Sequence, residues 1–257
     1  MKQFKSAKTQ ITACLITILS FLPIIGLSKD YHVSKTGNDK NSGNINAPFV
    51  TINHAASIAN AGDNIIVHSG TYREWVNPLR GGESPTKRIT YMAASGEKVI
   101  VKGSEQITSW ANQGNGVWKV ELSNSFFKDY NPFALHVKAA WMKYGEWRHR
   151  GAVYLNGVAF YEKASLDGVK DSINAWFSEV SVGNTKIWAN FGDSNPNKEL
   201  TEINARESIM FPKVPRLRYI TISGFTIQQA APNWGPPGAE QIGAVGPNFG
   251  FNWIIEK

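Results

Sequence analysis

Beyond residue 28 the chain alternates short apolar runs with polar turns. The runs at 31–33, 65–67, 72–76, 89–92 and 99–101 are rich in Ile, Val and Tyr, and Gly, Ser, Pro and Asn separate them. That pattern predicts short strands. Within 48–61 the spacing changes. Ile52, Ala55, Ala56, Ile58 and Ala59 recur at helical intervals, which predicts one short helix stopped by Gly62-Asp63. No Asn-Gly hairpin turn joins the early runs. They suit the coils of a parallel β-helix, in which a single coil cannot bury its apolar face and several must stack under a cap. The segment 50–61 would serve as that cap. Spacing alone leaves an ordinary β-sandwich equally open.

From about 106 to 215 the style differs. Residues 116–122 alternate in period two. Val153-Tyr154-Leu155, Asn156-Gly157 and Val158-Ala159-Phe160-Tyr161 read as a hairpin, because Asn-Gly accepts the positive φ angles of a type I′ turn. Residues 175–180 and 185–191 flank a second turn. Such hairpins predict a small β-sandwich. The run 219–227 then returns to the coil-like style, and 252–257 reads as the start of a strand with no closing turn. The expected organisation is a leader at 1–28, a cap and first coils at 29–105, an inserted β-sandwich at 106–215, and resumed coils at 216–257 that continue into a longer protein.

Lys2, Lys5 and Lys8 precede an apolar run of about 15 residues, short of the roughly 20 a spanning helix needs. Gly26 and Ser28 fit a signal-peptidase site, so cleavage is expected after Ser28 and the product is expected to be exported. Loss of the leader removes three Lys and no acid, lowering the net charge from +7 to +4. That modest excess, scattered except at Arg148–Arg150, is no nucleic-acid footprint. The single cysteine, Cys14, lies in the leader, which removes disulfide, zinc-ribbon and cysteine-nucleophile chemistry from the mature chain.

No zinc-protease, nucleophile-elbow or P-loop motif occurs. His32, His54 and His68 sit in or beside predicted elements and read as structural, so neither a metal nor another cofactor is expected. Glu74 is expected to form a structural ion pair. The unusual stretch is 231–253, APNWGPPGAEQIGAVGPNFGFNW, in which nine of 23 residues are Gly or Pro. Long loops leaving rigid strands are where binding residues concentrate. Trp234 can stack on the C–H face of a sugar, Gln241 and Asn248 can bond hydroxyls, and Glu240 supplies a carboxylate. These four are the candidate substrate-binding residues. No two acids are spaced as a catalytic pair, so no catalytic residue is assigned.

The residues also carry a family likeness. Tyr31-His32-Val33-Ser34-Lys35-Thr36-Gly37, Pro48-Phe49-Val50-Thr51-Ile52-Asn53 and Val67-His68-Ser69-Gly70-Thr71-Tyr72-Arg73-Glu74-Trp75-Val76 open the series. Ser125-Phe126-Phe127, Asn195-Pro196-Asn197-Lys198-Glu199-Leu200, Glu202-Ile203-Asn204, Gly246-Pro247-Asn248 and Trp253-Ile254-Ile255-Glu256 continue it. This ordered set resembles the N-terminal portion of the β-xylosidases of glycoside hydrolase family 120. The resemblance implies an all-β chain: a right-handed parallel β-helix carrying an inserted β-sandwich. It also implies retaining hydrolysis of β-1,4-xylosides from the non-reducing end, without a cofactor. The family's two carboxylates come from later coils, so they are expected beyond residue 257. The expected partner is a xylo-oligosaccharide, with no nucleic acid and no stable membrane span. Self-association stays open, as do two rival functions: a polysaccharide lyase, or a non-catalytic sugar-binding or cell-surface module.

Overall fold

A computed structural model describes residues 28–137, 147–233 and 242–257. The leader expected at 1–28 lies outside them except for Ser28. The chain is all-β with few helical turns. Strand β1 (Asp30–Val33) is followed by α1 (Ile52–Ile58), which is shorter than the helix predicted over 48–61. Phe49 is extended and pairs with Val33, and Ala59 leaves the helix at ψ 141°. Side-chain oxygens satisfy the open N–H groups of α1. Thr51 accepts from the His54 N–H at 3.2 Å, and Asp39 accepts from those of Val50 and Thr51 at 2.9 and 3.0 Å. Glu74 reaches back to the N–H groups of Ile52 and Asn53, at 3.1 and 2.8 Å. This corrects the ion-pair expectation for Glu74, which caps a helix instead.

After α1 come β2 (Asn64–Val67), β3 (Gly70–Arg73), β4 (Ile89–Ala93) and β5 (Val99–Lys102). The predicted strand over 72–76 ends at Arg73. There the chain turns a corner, and Val76 pairs instead with Met210. A long excursion follows: β6 (Ser104–Gln106), β7 (Ala111–Gly114), β8 (Val117–Ser123), β9 (Val153–Leu155), β10 (Val158–Ala159), β11 (Tyr161–Glu162), the short helix α2 (Leu166–Lys170), β12 (Ala175–Val180), β13 (Asn184–Asn190) and β14 (Thr201–Asn204). The chain then adds β15 (Ile220–Ser223), β16 (Phe225–Gln228) and β17 (Ile254–Glu256).

Two parallel sheets are built from the strands outside the excursion. One has the order β1-β2-β4-β15-β17 and the other β16-β5-β3. A third row is marked by the parallel bridges Val76–Met210–Val245. Strand β15 pairs with β4 in register, Ile220 opposite Ile89, although the whole excursion separates them in sequence. One inward column runs Tyr31–Ile65–Tyr91–Ile222 through successive strands, and its register continues to the exposed Ile255. The next runs Tyr72–Val101–Ile227 in the second sheet. Burial of each Ile or Val in such columns contributes about 1.5–3 kcal/mol. Gly224 makes the corner between β15 and β16 at φ +79°, a conformation costly for any residue with a Cβ.

The excursion forms two further sheets, β10-β9-β14-β6 and β11-β12-β13-β8-β7. The predicted hairpin turn is present, with Asn156 at φ 52° and Gly157 at φ 84°. Trp176, Ile187, Val120, Val153 and Ile203, drawn from both sheets, share one buried core with Trp110, Phe133 and Phe191.

The two bodies are joined by a buried charge cluster. Glu202 on β14 is fully buried. Arg73 Nη2 lies 2.6 Å from its Oε1, and Lys102 Nζ lies 2.8 Å from both carboxylate oxygens. Gln229 Nε2 donates to it at 3.1 Å and Ser104 Oγ at 3.3 Å. Burial alone would raise the Glu202 pKa. The Lys102, Arg73 and Gln229 hydrogen bonds outweigh burial and hold it below its ordinary value. A second polar column crosses the first sheet at one end. His32 Nδ1 lies 3.0 Å from His68 Nε2, and His68 Nδ1 lies 2.9 Å from Glu97 Oε1. Glu97 also accepts the Ser69 N–H at 2.6 Å. That backbone donor first, and His68 second, hold the Glu97 carboxyl down at about 2.

Two predictions follow from these charges. Glu202→Gln leaves the buried Lys102 and the half-buried Arg73 without a counter-charge and should cost about 3–5 kcal/mol in urea unfolding. A loss under about 1 kcal/mol would refute the linking role. The Glu97 carboxylate is depressed, so its stabilisation is present above the ordinary carboxylate range and is lost as pH falls toward 2. Glu97→Gln should therefore weaken the fold at pH 7, and the gap from the parent chain should close on acidification. A gap unchanged between neutral and acid pH would assign the effect to packing.

Candidate functional site

Where β3 turns its corner, Trp75 is placed at the seam between the parallel sheets and the excursion. Its Nε1–H donates to the Phe211 carbonyl at 2.7 Å, and Lys213 Nζ stands 5.2 Å from the ring centre. Lys213 is held in turn by its N–H, which donates to Asn77 Oδ1 at 2.6 Å. Trp75 is half-buried, and two adjoining hollows share it and Lys213. The first, of about 500 Å³, is mostly apolar and is walled by Phe211, Pro212, Ile242, Asn248 and Phe249. The second, of about 430 Å³, is the more polar and is walled by Arg73, Glu74, Phe127 to Tyr130, and Arg206.

The polar hollow contains several ionisable groups, most already engaged. Arg73 serves Glu202, and Arg206 pairs with Glu105. Glu74 is occupied by α1, and burial raises its pKa despite those N–H bonds. Asp129 is exposed and makes no hydrogen bond or ion pair among the described residues. The turn that presents it is unusual, with Lys128 at φ 53° and ψ −121°, a region nearly reserved for glycine. Such backbone strain persists only where the surroundings impose it. Here the buried Phe127 and the tethered Tyr130 flank it. Tyr130 donates to the Ala231 carbonyl, and Arg150 Nη1 approaches the Tyr130 hydroxyl at 3.3 Å.

The Gly/Pro segment is pinned beside these hollows at its start and again further along. Ala231 N–H donates to Arg206 O at 2.8 Å. Within the same segment, Ala244 O accepts from Ile209 N–H at 2.9 Å and Gly243 O from Ser208 Oγ at 2.7 Å. Of the candidate binding residues, Trp234, Glu240 and Gln241 lie outside the described residues. Asn248 does line the apolar hollow, but its Nδ2 donates to Pro212 O at 2.8 Å and to Lys213 O at 3.4 Å. That leaves its Oδ1 as the group open to a ligand.

Sequence reasoning did not single out Trp75, Asp129, Tyr130 or Arg206. Trp75 was hidden in an apparently continuous strand, and the other three come from the excursion and its exit, far away in sequence. Among the described residues no group of three His, Cys, Asp or Glu side chains is placed to hold a metal ion, and no helix is long and apolar enough to cross a membrane.

Comparison with known proteins places this arrangement. Residues 107–174 and 169–203 match the family described as glycoside hydrolase 120, insertion domain, and residues 35–78 match a family of unknown function, DUF1565. A solved structure described as the complex of XylC with xylose is 42% identical over 88% of this chain and 40% of its own, with a TM-score of 0.82. Another, described as a glycoside hydrolase, is 14% identical over 79% of this chain and 51% of its own, with a TM-score of 0.50, a likeness of fold alone. The uncharacterized protein YwoF of Bacillus subtilis (strain 168) is 36% identical over 77 residues, 30% of this chain and 16% of YwoF. The chain thus spans less than half the length of XylC and about a sixth of YwoF. Its resemblance to the glycoside hydrolase family 120 β-xylosidases is shown by the family's insertion domain within the excursion and by the XylC fold across most of the remainder.

Proposed function

We propose that this chain forms the scaffold and the sugar-facing groove of an exported enzyme that hydrolyses β-1,4-xylosides with retention, releasing xylose from the non-reducing end. Its scaffold is then a right-handed parallel β-helix capped by α1, with a β-sandwich inserted between β5 and the 206–211 segment. The observation that carries this reading is the 42% identity over 88% of the chain to a protein solved with xylose. The Trp75 groove supports it chemically. A half-buried indole offers an apolar face to the C–H side of a pyranose, while Asn248 Oδ1 and the Asp129 carboxylate are free to accept from hydroxyls.

Retaining hydrolysis needs two carboxyl groups about 5–5.5 Å apart, one as nucleophile and one as acid and then base. Among the described residues most buried or half-buried acids are already bonded: Glu202 to Arg73 and Lys102, Glu74 to α1, Glu162 to His149 at 2.6 Å, and Glu207 near Arg150 at 3.5 Å. A nucleophile must be free to attack, so this reading assigns the reacting pair to residues other than these.

Two experiments test the reading. Trp75→Ala should weaken xylobiose binding about tenfold, with Trp75→Phe recovering much of it, as measured by calorimetry. Equal affinity for all three would remove the groove from the sugar site. N-terminal sequencing of material secreted from an expressing bacterium should begin at Lys29. An intact Met1 on that material would overturn the leader.

A further inference from the structure

The five-stranded sheet of the excursion has two faces with different fates. Its inner face carries Trp176, Ile187 and Val120 into the shared core. On the outer face the rows are set by register. Ala175 stands beside Asn190 and Val117, Phe177 beside Trp188, Lys119 and Ala111, and Glu179 beside Lys186 and Glu121. Helix α2 covers the first row, where Asn190 Nδ2 donates to the Val169 carbonyl at 3.0 Å. The second row is partly covered, and in the third Glu179 and Glu121 are exposed.

In the second row the rings of Phe177 and Trp188 lie 6.0 Å apart with their planes inclined by 30°. Both are half-buried. The Trp188 N–H finds no acceptor among the described residues, whereas those of Trp75 and Trp253 each donate to a backbone carbonyl, at 2.7 and 2.9 Å. Trp188 is therefore not anchored through its N–H. Lys119 Nζ sits 5.9 Å from its ring centre and pairs with Glu121 at 3.3 Å. The third row adds Lys186 and Glu179, so two cations and two anions surround the rings and the patch is neutral.

The geometry points to a second carbohydrate-binding surface, in which Phe177 and Trp188 form a platform for a neutral β-linked polysaccharide chain. A pair of gently inclined rings matches the flat apolar face of a pyranose chain. The flanking Lys and Glu heads, together with the free indole N–H, can bond its hydroxyls. The balanced charge disfavours a uronate polymer or a nucleic acid, either of which would require a net positive surface. Trp188 is far from Trp75 in sequence, and neither Phe177 nor Trp188 lines either seam hollow. The platform would thus hold polymer while the groove takes a chain end. Only the choice of xylan as the polymer rests on the function proposed above.

The test is depletion of the chain from solution by insoluble xylan, cellulose and chitin, with sedimentation velocity run in parallel. The parent chain should bind xylan. Trp188→Ala and Phe177→Ala should each weaken that binding about tenfold, with unchanged circular dichroism and unchanged xylobiose affinity at the Trp75 groove. Trp188→Phe should retain most of the binding, which separates loss of the platform from loss of fold. Binding to cellulose or chitin in place of xylan, still abolished by Trp188→Ala, would uphold the platform while overturning the xyloside reading. Retention of full binding by Trp188→Ala would overturn the platform. So would a dimer that dissociates on the same substitution, because it would show that a second copy covers this face.

Discussion

The structure depends on one buried carboxylate. Arg73 of β3 and Lys102 of β5 are direct partners in a parallel register. Adjacent strands lie about 4.8 Å apart, so this pairing sets two like charges side by side, which by itself opposes the sheet. Glu202 resolves the conflict by reaching both cations from β14. The second parallel sheet is thus completed electrostatically by the excursion, and the excursion is oriented by the sheet it neutralises. Gln229 and Ser104 join the same cluster, tying in the exit of β16 and the start of β6.

That coupling explains why the groove lies where it does. Arg73 points one way into the charge cluster, and the residues that follow it turn the corner. Glu74 turns to α1 and Trp75 to the Phe211 carbonyl. The wall opposite is the 127–130 turn of the excursion, held by Tyr130 against Ala231. A groove between two bodies can change shape if the bodies slide. Here the Glu202 cluster and the Tyr130 contact fix both sides of the seam. The cleft is therefore preorganised, and little binding energy is spent on ordering it.

Much of this fold was legible because its signals are local. The parallel strands follow from their short Ile and Val runs, and the 156–157 turn from the tolerance of Asn-Gly for positive φ. Strand β14 escaped because its sequence, Thr-Glu-Ile-Asn, reads as polar on both faces. All four residues are in fact buried. Each polar one has a partner: Thr201 the Pro196 carbonyl, Glu202 its cations, and Asn204 the backbone of residues 150 and 152. No periodicity rule detects a strand whose interior is satisfied by distant hydrogen bonds. The seam was illegible for the same reason, since Arg73, Asp129 and Arg206 become neighbours only after the whole excursion has folded.

The distribution of tryptophan sharpens the functional picture. Trp176 and Trp110 fill the excursion core, and Trp110 edges against Phe191 at 5.1 Å. Trp75 and Trp253 are anchored through their N–H groups to backbone carbonyls, so their rings have fixed positions beside the parallel sheets. Trp188 is half-buried like Trp75 and Trp253, but unlike theirs its N–H makes no hydrogen bond among the described residues. The part of its ring left in water forgoes a fraction of the roughly 1.5–3 kcal/mol that full burial of a large apolar side chain contributes. A fold that buries Trp176 on one side of a sheet could have turned Trp188 inward by a register slip of one residue. It places Lys186 and Trp188 outward because Thr185, Ile187 and Ala189 already fill the inner face. The outward aromatic row is thus a cost that core packing does not require, and a ligand that covers the row would offset it.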